Sequence, residues 1–314
     1  MNPDTAPVHL RDAHQPDSPH SGTFPYASVV IPVYNNRDGL TRTLEALERQ
    51  TYPSERFEII VVDNGSEEGC PIMRSDHPRV TWLCEPERGS YRARNRAIRS
   101  ASGEVIAFTD SDCIPQPDWI ASGVRAVQAG GNVGLVAGRI EIVFRDDQHV
   151  TISELYDSLS WMPQHEAIAT ARFGATANLF TTRRTLTDVG CFDDRLLSGG
   201  DREWGNRVFR AGLRQVYSHE TVVFHPARHT LRQLIDRSLR VTVSSMVAGP
   251  DAGYSSAYVR RHLIERPRVM WRRMARGPTT VGVGQRMTVL GLYFGLKLLQ
   301  LLERVRVHWG TPRR

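Results

Sequence analysis

The amino-acid sequence predicts an α/β fold, a mostly parallel sheet with helices on both faces, followed by a basic helical C-terminal region. Three observations carry this. From Ala27 onward short apolar runs alternate with amphipathic stretches, the first runs hold almost no charge, and polar residues cluster where those runs end. A charge-free run suits a strand covered on both faces, as in a parallel sheet, where an ionised side chain would lose its hydration. The β-α-β-α order then calls for right-handed crossovers and places ligand sites beyond the carboxyl ends of the strands.

The elements follow in order. Residues 1–25, rich in Pro, His, Asp and Ser, read as a disordered tail without the apolar core of a secretory signal. Strands are expected at 29–31, 59–62, 80–83 and 105–108. Between the first two, "LTRTLEALERQ" sets Leu40, Leu44 and Leu47 on one helix face. From 133 to 225 strand-like segments continue with one clear helix after Gly200, and residues 228–314 read as helical. The division expected is therefore a tail (1–25), an α/β domain (26–227) with an internal boundary near 132, and a C-terminal region (228–314).

Composition narrows the function classes. With 314 residues, 40% of them hydrophobic, the chain can bury a full core. The net charge of +6 is local: Arg260, Arg261, Arg266, Arg268, Arg272, Arg273 and Arg276 stand against Glu265 alone, leaving the remainder near neutral. A basic segment on a neutral body calls for an anionic partner such as a membrane surface or nucleic acid. The four cysteines, Cys70, Cys84, Cys113 and Cys191, form no CxxC pair and no zinc spacing, which points to a reducing cytoplasm. Further on, "VLGLYFGLKLLQLL" (289–302) is too short to span a bilayer. Drawn as a helix, it aligns Tyr293, Lys297, Gln300 and Arg304 in a narrow polar stripe and leaves a broad apolar face for a membrane interface or a partner.

The polar strand ends gather Asn35, Asp63, Asp110 and Asp112 on one acidic rim. Asn35 and Asp63 serve equally as turn or cap residues. Asp110 and Asp112, one residue apart in an extended segment, would face the same side and repel each other. A divalent cation removes that repulsion, and oxygen ligands suit Mg2+ or Mn2+ that also holds a diphosphate.

"SVVIPVYNN", "EIIVVDNGS", "RGSYRARNRAI", "GEVIAFTDSD", "VGCFDDRL", "GGDREWGNRVFRAG" and "VVFHP" occur in the order and spacing of family 2 glycosyltransferases, which the chain resembles over residues 27–225. The resemblance implies a GT-A fold and an inverting transfer of a sugar from a nucleotide-diphosphate-sugar to an acceptor hydroxyl. It makes 26–132 the nucleotide-binding half and 133–227 the acceptor half of a catalytic domain. Carried over by position, Pro32, Tyr34, Asn35 and Asp63 hold the nucleoside and Arg94 stands near the base or diphosphate. Asp110 and Asp112 form the D-x-D pair, Asp201 is the general base, and His225 is a further metal or diphosphate contact. One departure is Gly200 where the family has Glu, with Glu203 as a partial substitute; another is that His219 and His229 compete with His225. The implied partners are the donor, a saccharide or lipid-linked acceptor in cell-envelope synthesis, and an anionic membrane surface at the inner face of the plasma membrane. A homodimer is the other partner open to the C-terminal helix, and nucleic acid is not expected. Two alternatives stand beside this reading. A sugar-1-phosphate nucleotidyltransferase would need a Gly-rich loop where "IPVYNN" stands, and a non-catalytic nucleotide- or membrane-binding module would not need Asp110, Asp112 and Asp201.

Overall fold

The computed structural model describes residues 24–67, 79–247, 265–276 and 281–309. In chain order they form β1 (Ala27–Val33), α1 (Arg37–Glu48), β2 (Phe57–Asp63), β3 (Val80–Cys84), α2 (Ser90–Ser100), β4 (Val105–Thr109), β5 (Ile114–Pro115) and α3 (Trp119–Gln128). Next come β6 (Val133–Val143), α4 (Ile152–Ser160), α5 (Gln164–Ala171), β7 (Asn178–Thr182), α6 (Arg183–Val189), α7 (Gly200–Arg210) and β8 (Arg214–Pro226). Last are α8 (Leu231–Val247), α9 (Arg266–Arg276) and α10 (Val283–His308). The four expected strands are all present, and α4, α5 and α6 add helices where the sequence showed mainly strands. The chain divides into two compact units, the first within Met1–Glu141, Met162–Arg195 and Gly200–His225, the second within Ile142–Trp161, Leu196–Gly199 and Pro226–Arg314.

The sheet runs β3-β2-β1-β4-β7-β6-β8-β5. β1 pairs in parallel with β2 and β4, and β2 with β3; β4 with β7, β6 with β7 and β5 with β8 are antiparallel. Side chains alternate across this sheet. On one face Val29, Ile31, Ile59, Val61, Val105 and Ala107 pack with Leu40, Leu44 and Leu47 of α1 and with Trp119, Ile120 and Val124 of α3. Packing of α2 on β1, β2 and β3 covers the parallel half from the other side, and there the Phe108 ring meets Phe192 edge-on at 5.4 Å. Chain order reverses between β1 and β4, and such a switch point opens a crevice at the strand ends.

In the second unit α4, α8, α9 and α10 close a core of Leu155, Tyr156, Leu234, Met270, Met274, Val289, Tyr293 and Leu296. Thr151 and Glu154 form a reciprocal capping box at the start of α4. Tyr156 belongs to this core, and the Arg237 guanidinium lies 5.6 Å from the Trp161 ring.

Two expectations are corrected here. The polar stripe of α10 is turned inward: Tyr293 is 2% exposed, and Lys297 lies over its ring and donates to Gln300. Phe294, Leu298, Leu301, Leu302 and Val305 are exposed instead. The cause is the seam of Val289, Tyr293 and Leu296, at helical spacing, which docks on the other helices and carries the adjacent Lys297 and Gln300 with it. No helix among the described residues is long and apolar enough to cross a membrane. The second correction concerns the thiols. Cys113 and Cys191 are free, but Cys84 is disulfide-bonded, so the cysteines are not all reduced as the spacing suggested. Most of the expected tail, together with Arg260 and Arg261, lies outside the described residues.

Candidate active site

The expected rim residues sit at the ends of β1, β2 and β4. Pro32 lies inside β1, opposite Val62. The pairing of β1 with β4 ends at Val30 and Phe108, so Pro32 stands where the two strands part and its missing N–H leaves no gap in that ladder. Beyond it Tyr34 is 40% exposed, with the Arg88 guanidinium 4.5 Å from its ring centroid. Asn35 takes the left-handed backbone conformation (φ 47°), which asparagine tolerates better than most residues. Its N–H donates to Ser66 Oγ at 3.0 Å and its side-chain oxygen accepts the Glu67 N–H at 2.9 Å. Asp63, 3% exposed, accepts the Ser66 N–H and, at 2.5 Å, the Ser66 hydroxyl. Ser66 thus laces the ends of β1 and β2 together, and the turn-forming readings of Asn35 and Asp63 are both realised.

Asn64 fixes the next segment. Its amide donates to Glu85 O and Glu87 O, and its oxygen accepts the Gly89 N–H at 2.7 Å, which sets the start of α2. From α2, Arg94 reaches Asp110 at 2.5 Å while its own side chain is 4% exposed. Arg94 Nε is buried without a hydrogen-bond partner.

The D-x-D segment is a turn, not an extended strand. The Cys113 N–H bonds Asp110 O at 3.1 Å, and the Asn36 amide donates to Ser111 O and Oγ. The two carboxylates therefore diverge: Arg94 neutralises Asp110, and Asp112 lies 3.9 Å from His225 Nε2. Repulsion within the pair is relieved by arginine as well as by any cation, which corrects the argument from spacing alone. Potential metal-binding atoms of Asp112, Cys113 and His225 lie within 4.8 Å of one another, a group that does not include Asp110. Burial, and then the charges of Asp112 and Asp110, push the Cys113 thiol up. The carboxylate and the imidazole of this group are donors that accept Mn2+. His225 is 3% exposed, whereas His219 is exposed beside Tyr217 and His229 belongs to the second unit.

Asp201 is the second residue of α7. Its Oδ1 accepts the Arg202 N–H at 2.9 Å and the Tyr91 hydroxyl at 3.2 Å. Burial pushes its carboxyl above the usual range; the Arg202 N–H, Arg94 and Tyr91 oppose that shift and Asp110 adds to it. A carboxylate so raised is a better proton acceptor at neutral pH. Glu203 does not substitute for it: Arg207 grips both its oxygens, at 2.7 and 3.0 Å, and also donates to Val189 O and Cys191 O. Arg210 is exposed. Sequence reasoning missed Tyr91, Asn36, Asn64, Ser66 and Ser111. Asn36 carried a signal as a helix-capping residue before an apolar-periodic run, but Tyr91 had none, because its partner lies 110 positions away.

The chain is similar to several known proteins. The model of glycosyl transferase family 2 matches residues 28–191. Glycosyltransferase AglE of Haloferax volcanii is 37% identical over 226 residues, covering 70% of this chain and 73% of that one. The pre-mycofactocin glycosyltransferase of Mycobacterium tuberculosis is 31% identical over 231 residues, and the match spans only 47% of its length. Among solved structures, a mannosyltransferase from Pyrobaculum calidifontis, in complex with GDP-Man and Mn2+, superposes with a TM-score of 0.60 at 20% identity, covering 94% of this chain and 90% of that one. The chain belongs to glycosyl transferase family 2 and is a glycosyltransferase.

Proposed function

We propose that the protein transfers a sugar from a nucleoside-diphosphate-sugar to an acceptor hydroxyl with inversion, in the synthesis of a cell-envelope saccharide or glycolipid. The observation that carries this is the raised, half-screened carboxylate of Asp201, tied through Tyr91 and Arg94 to the D-x-D turn. Domain 26–227 is the catalytic domain in this reading and 228–314 its appendage. Pro32, Tyr34, Asn35 and Asp63 form the nucleoside wall, with Arg88 giving up the face of Tyr34 to the base. Asp110 orients the ribose, and Arg94 keeps that carboxylate in place. Asp112 and His225 hold Mn2+ or Mg2+, which when bound stabilises the negative charge of the departing diphosphate. The complex of the Pyrobaculum neighbour with Mn2+ supports that choice of ion. Asp201 takes the acceptor proton.

Asparagine preserves the hydrogen-bond acceptor of Asp201 but cannot take a proton. Asp201→Asn is expected to bind nucleotide and Mn2+ as the wild type does and to lose ~10^2-fold or more in kcat. Normal turnover by this variant would remove Asp201 as the base.

A peripheral seat on an anionic membrane, at the inner face of the plasma membrane, accompanies this reading. Its support is the exposed apolar side of α10, with Phe294 at 42%, Leu298 at 57% and Leu302 at 57% exposure, beside α9 with exposed Arg268 and Arg272. Basic residues add ~1 kcal/mol each near an anionic surface, and the apolar side supplies a part that salt does not screen.

A further inference from the structure

Tyr91 lies in no strand-end motif, yet it touches the residue on which the proposed chemistry turns. Its hydroxyl donates to Asp201 Oδ1 at 3.2 Å, and the residue is 5% exposed. Burial and the neighbouring Asp201 charge hold the phenol far above its usual range, so it remains a donor at every working pH. The ring is held in turn: the Phe192 ring lies against it, tilted by 35° with centroids 5.5 Å apart, and the Arg94 guanidinium lies 5.6 Å from its centroid. Gly200 completes the arrangement. It has an ordinary helical backbone, so no positive φ demands glycine there, but a Cβ on it would sit 2.7 Å from the Tyr91 ring. Real Cβ atoms do not approach that closely, and a ring clamped between Phe192 and Arg94 has little room to give.

We propose that Tyr91 is a positioning residue for Asp201: its hydroxyl fixes the direction in which the carboxylate faces, and Gly200 is bare in order to admit the ring. The inference rests on the reading of Asp201 as the base. It has a consequence for protonation. The groups facing Asp201 are Tyr91 and Arg94 from α2, Asp110 beyond β4 and the Arg202 N–H of its own helix. A hydrogen bond given to the ionised carboxylate favours ionisation, so its loss raises the pH at which Asp201 gives up its proton. A role in packing alone would leave that pH where it is.

Tyr91→Phe separates the two, because the ring still fills its place against Gly200. The probe is metal-dependent hydrolysis of a panel of UDP-, GDP- and dTDP-sugars with Mn2+, followed as nucleoside diphosphate released, with the Asp201 carboxyl titrated by 13C NMR against Asp201→Asn. The expected result is a roughly tenfold fall in kcat, as for one hydrogen bond to a charged group. Donor KM should stay within about twofold, and both the acidic limb of the rate profile and the NMR titration should move to higher pH. Gly200→Ala, which presses on the same ring, should give the same pattern. The proposal is overturned if Tyr91→Phe keeps wild-type kcat, or loses kcat with the acidic limb and the titration unmoved. If Asp201→Asn hydrolyses donor normally, the base assignment itself fails; if Asp201→Asn is dead while Tyr91→Phe is unaffected, only the role of Tyr91 fails.

Discussion

The rim of the first unit and the helix cluster of the second both gather charge, with opposite sign in excess. At the rim, carboxylates outnumber cations: Asp110 and Asp201 neighbour Arg94, Asp112 lies near His225, and Asp63 is tied to Ser66. In the second unit the fully buried Asp157 receives two arginines, Arg228 and Arg237, at 3.1 and 3.3 Å. There Lys297 is pulled down to about 8, chiefly by burial and then by Arg266 and Arg304. The side chains of Asp110 and Asp112 are 33% and 38% exposed, and a single arginine steadies the first. Removing either should spare the fold. Asp157 faces only protein, and its charge is matched within the unit, so removing it should cost stability.

That contrast can be broken at several points. The largest effect is expected from Asp157→Ala, which strands two arginines. Because both are partly exposed, we expect about 3 kcal/mol, the lower end for breaking a buried pair, measured by urea unfolding of the full chain. A loss under about 1 kcal/mol would make the pair a surface feature. Asp112→Asn should leave unfolding unchanged but abolish the Mn2+-dependent part of the thermal shift that nucleoside diphosphates produce. That part is worth about 2.7 kcal/mol at a hundredfold excess over Kd. If the Mn2+ dependence persists in a folded variant, the metal is not at Asp112.

Two charges on the exposed side of α10, Leu298→Glu with Leu302→Glu, should sharply reduce cosedimentation with vesicles containing phosphatidylserine, and high salt should weaken the binding of the wild type. Full-length protein that ignores such vesicles at low salt would instead point to a second copy of the chain, detected as a dimer by sedimentation. Lys297→Met probes a smaller term. The folded pKa lies below the usual lysine value of 10.5, so the cost of keeping Lys297 charged is present below about 8 and fades as pH rises through that window. The variant should therefore be the more stable at pH 7, and its advantage should vanish above ~10.5. The smallest effect is on the stability of Asp201→Asn. The folded pKa of Asp201 is raised, so the wild type loses stability as pH climbs from the unfolded value of 3.8 through the folded one. The variant should match or slightly exceed wild-type Tm at pH 7, with the difference closing below about pH 4.

Legibility in the sequence followed the range of the interactions. The strands at 29–31, 59–62, 80–83 and 105–108 were readable because burial on both faces forces an unbroken apolar run, a local signature. Asn35, Asp63, Asp110 and Asp112 were readable as a rim because strand ends in a parallel sheet share one edge. The helices α4, α5 and α6 were not, since they are seven to nine residues long and their few apolar positions do not set a period.

The amino-acid sequence by itself determined the α/β class, the acidic edge and the family, because hydrophobic period and ordered motifs are properties of neighbouring residues. Only the tertiary structure decided that Arg94 divides the D-x-D pair, that Glu203 is spent on Arg207, and that Tyr91 stands over Gly200 and reaches Asp201. It also decided that α10 presents its apolar side outward. Each of these depends on contacts between residues distant in the chain or on which face of a helix finds a partner first, and neither is written in local spacing.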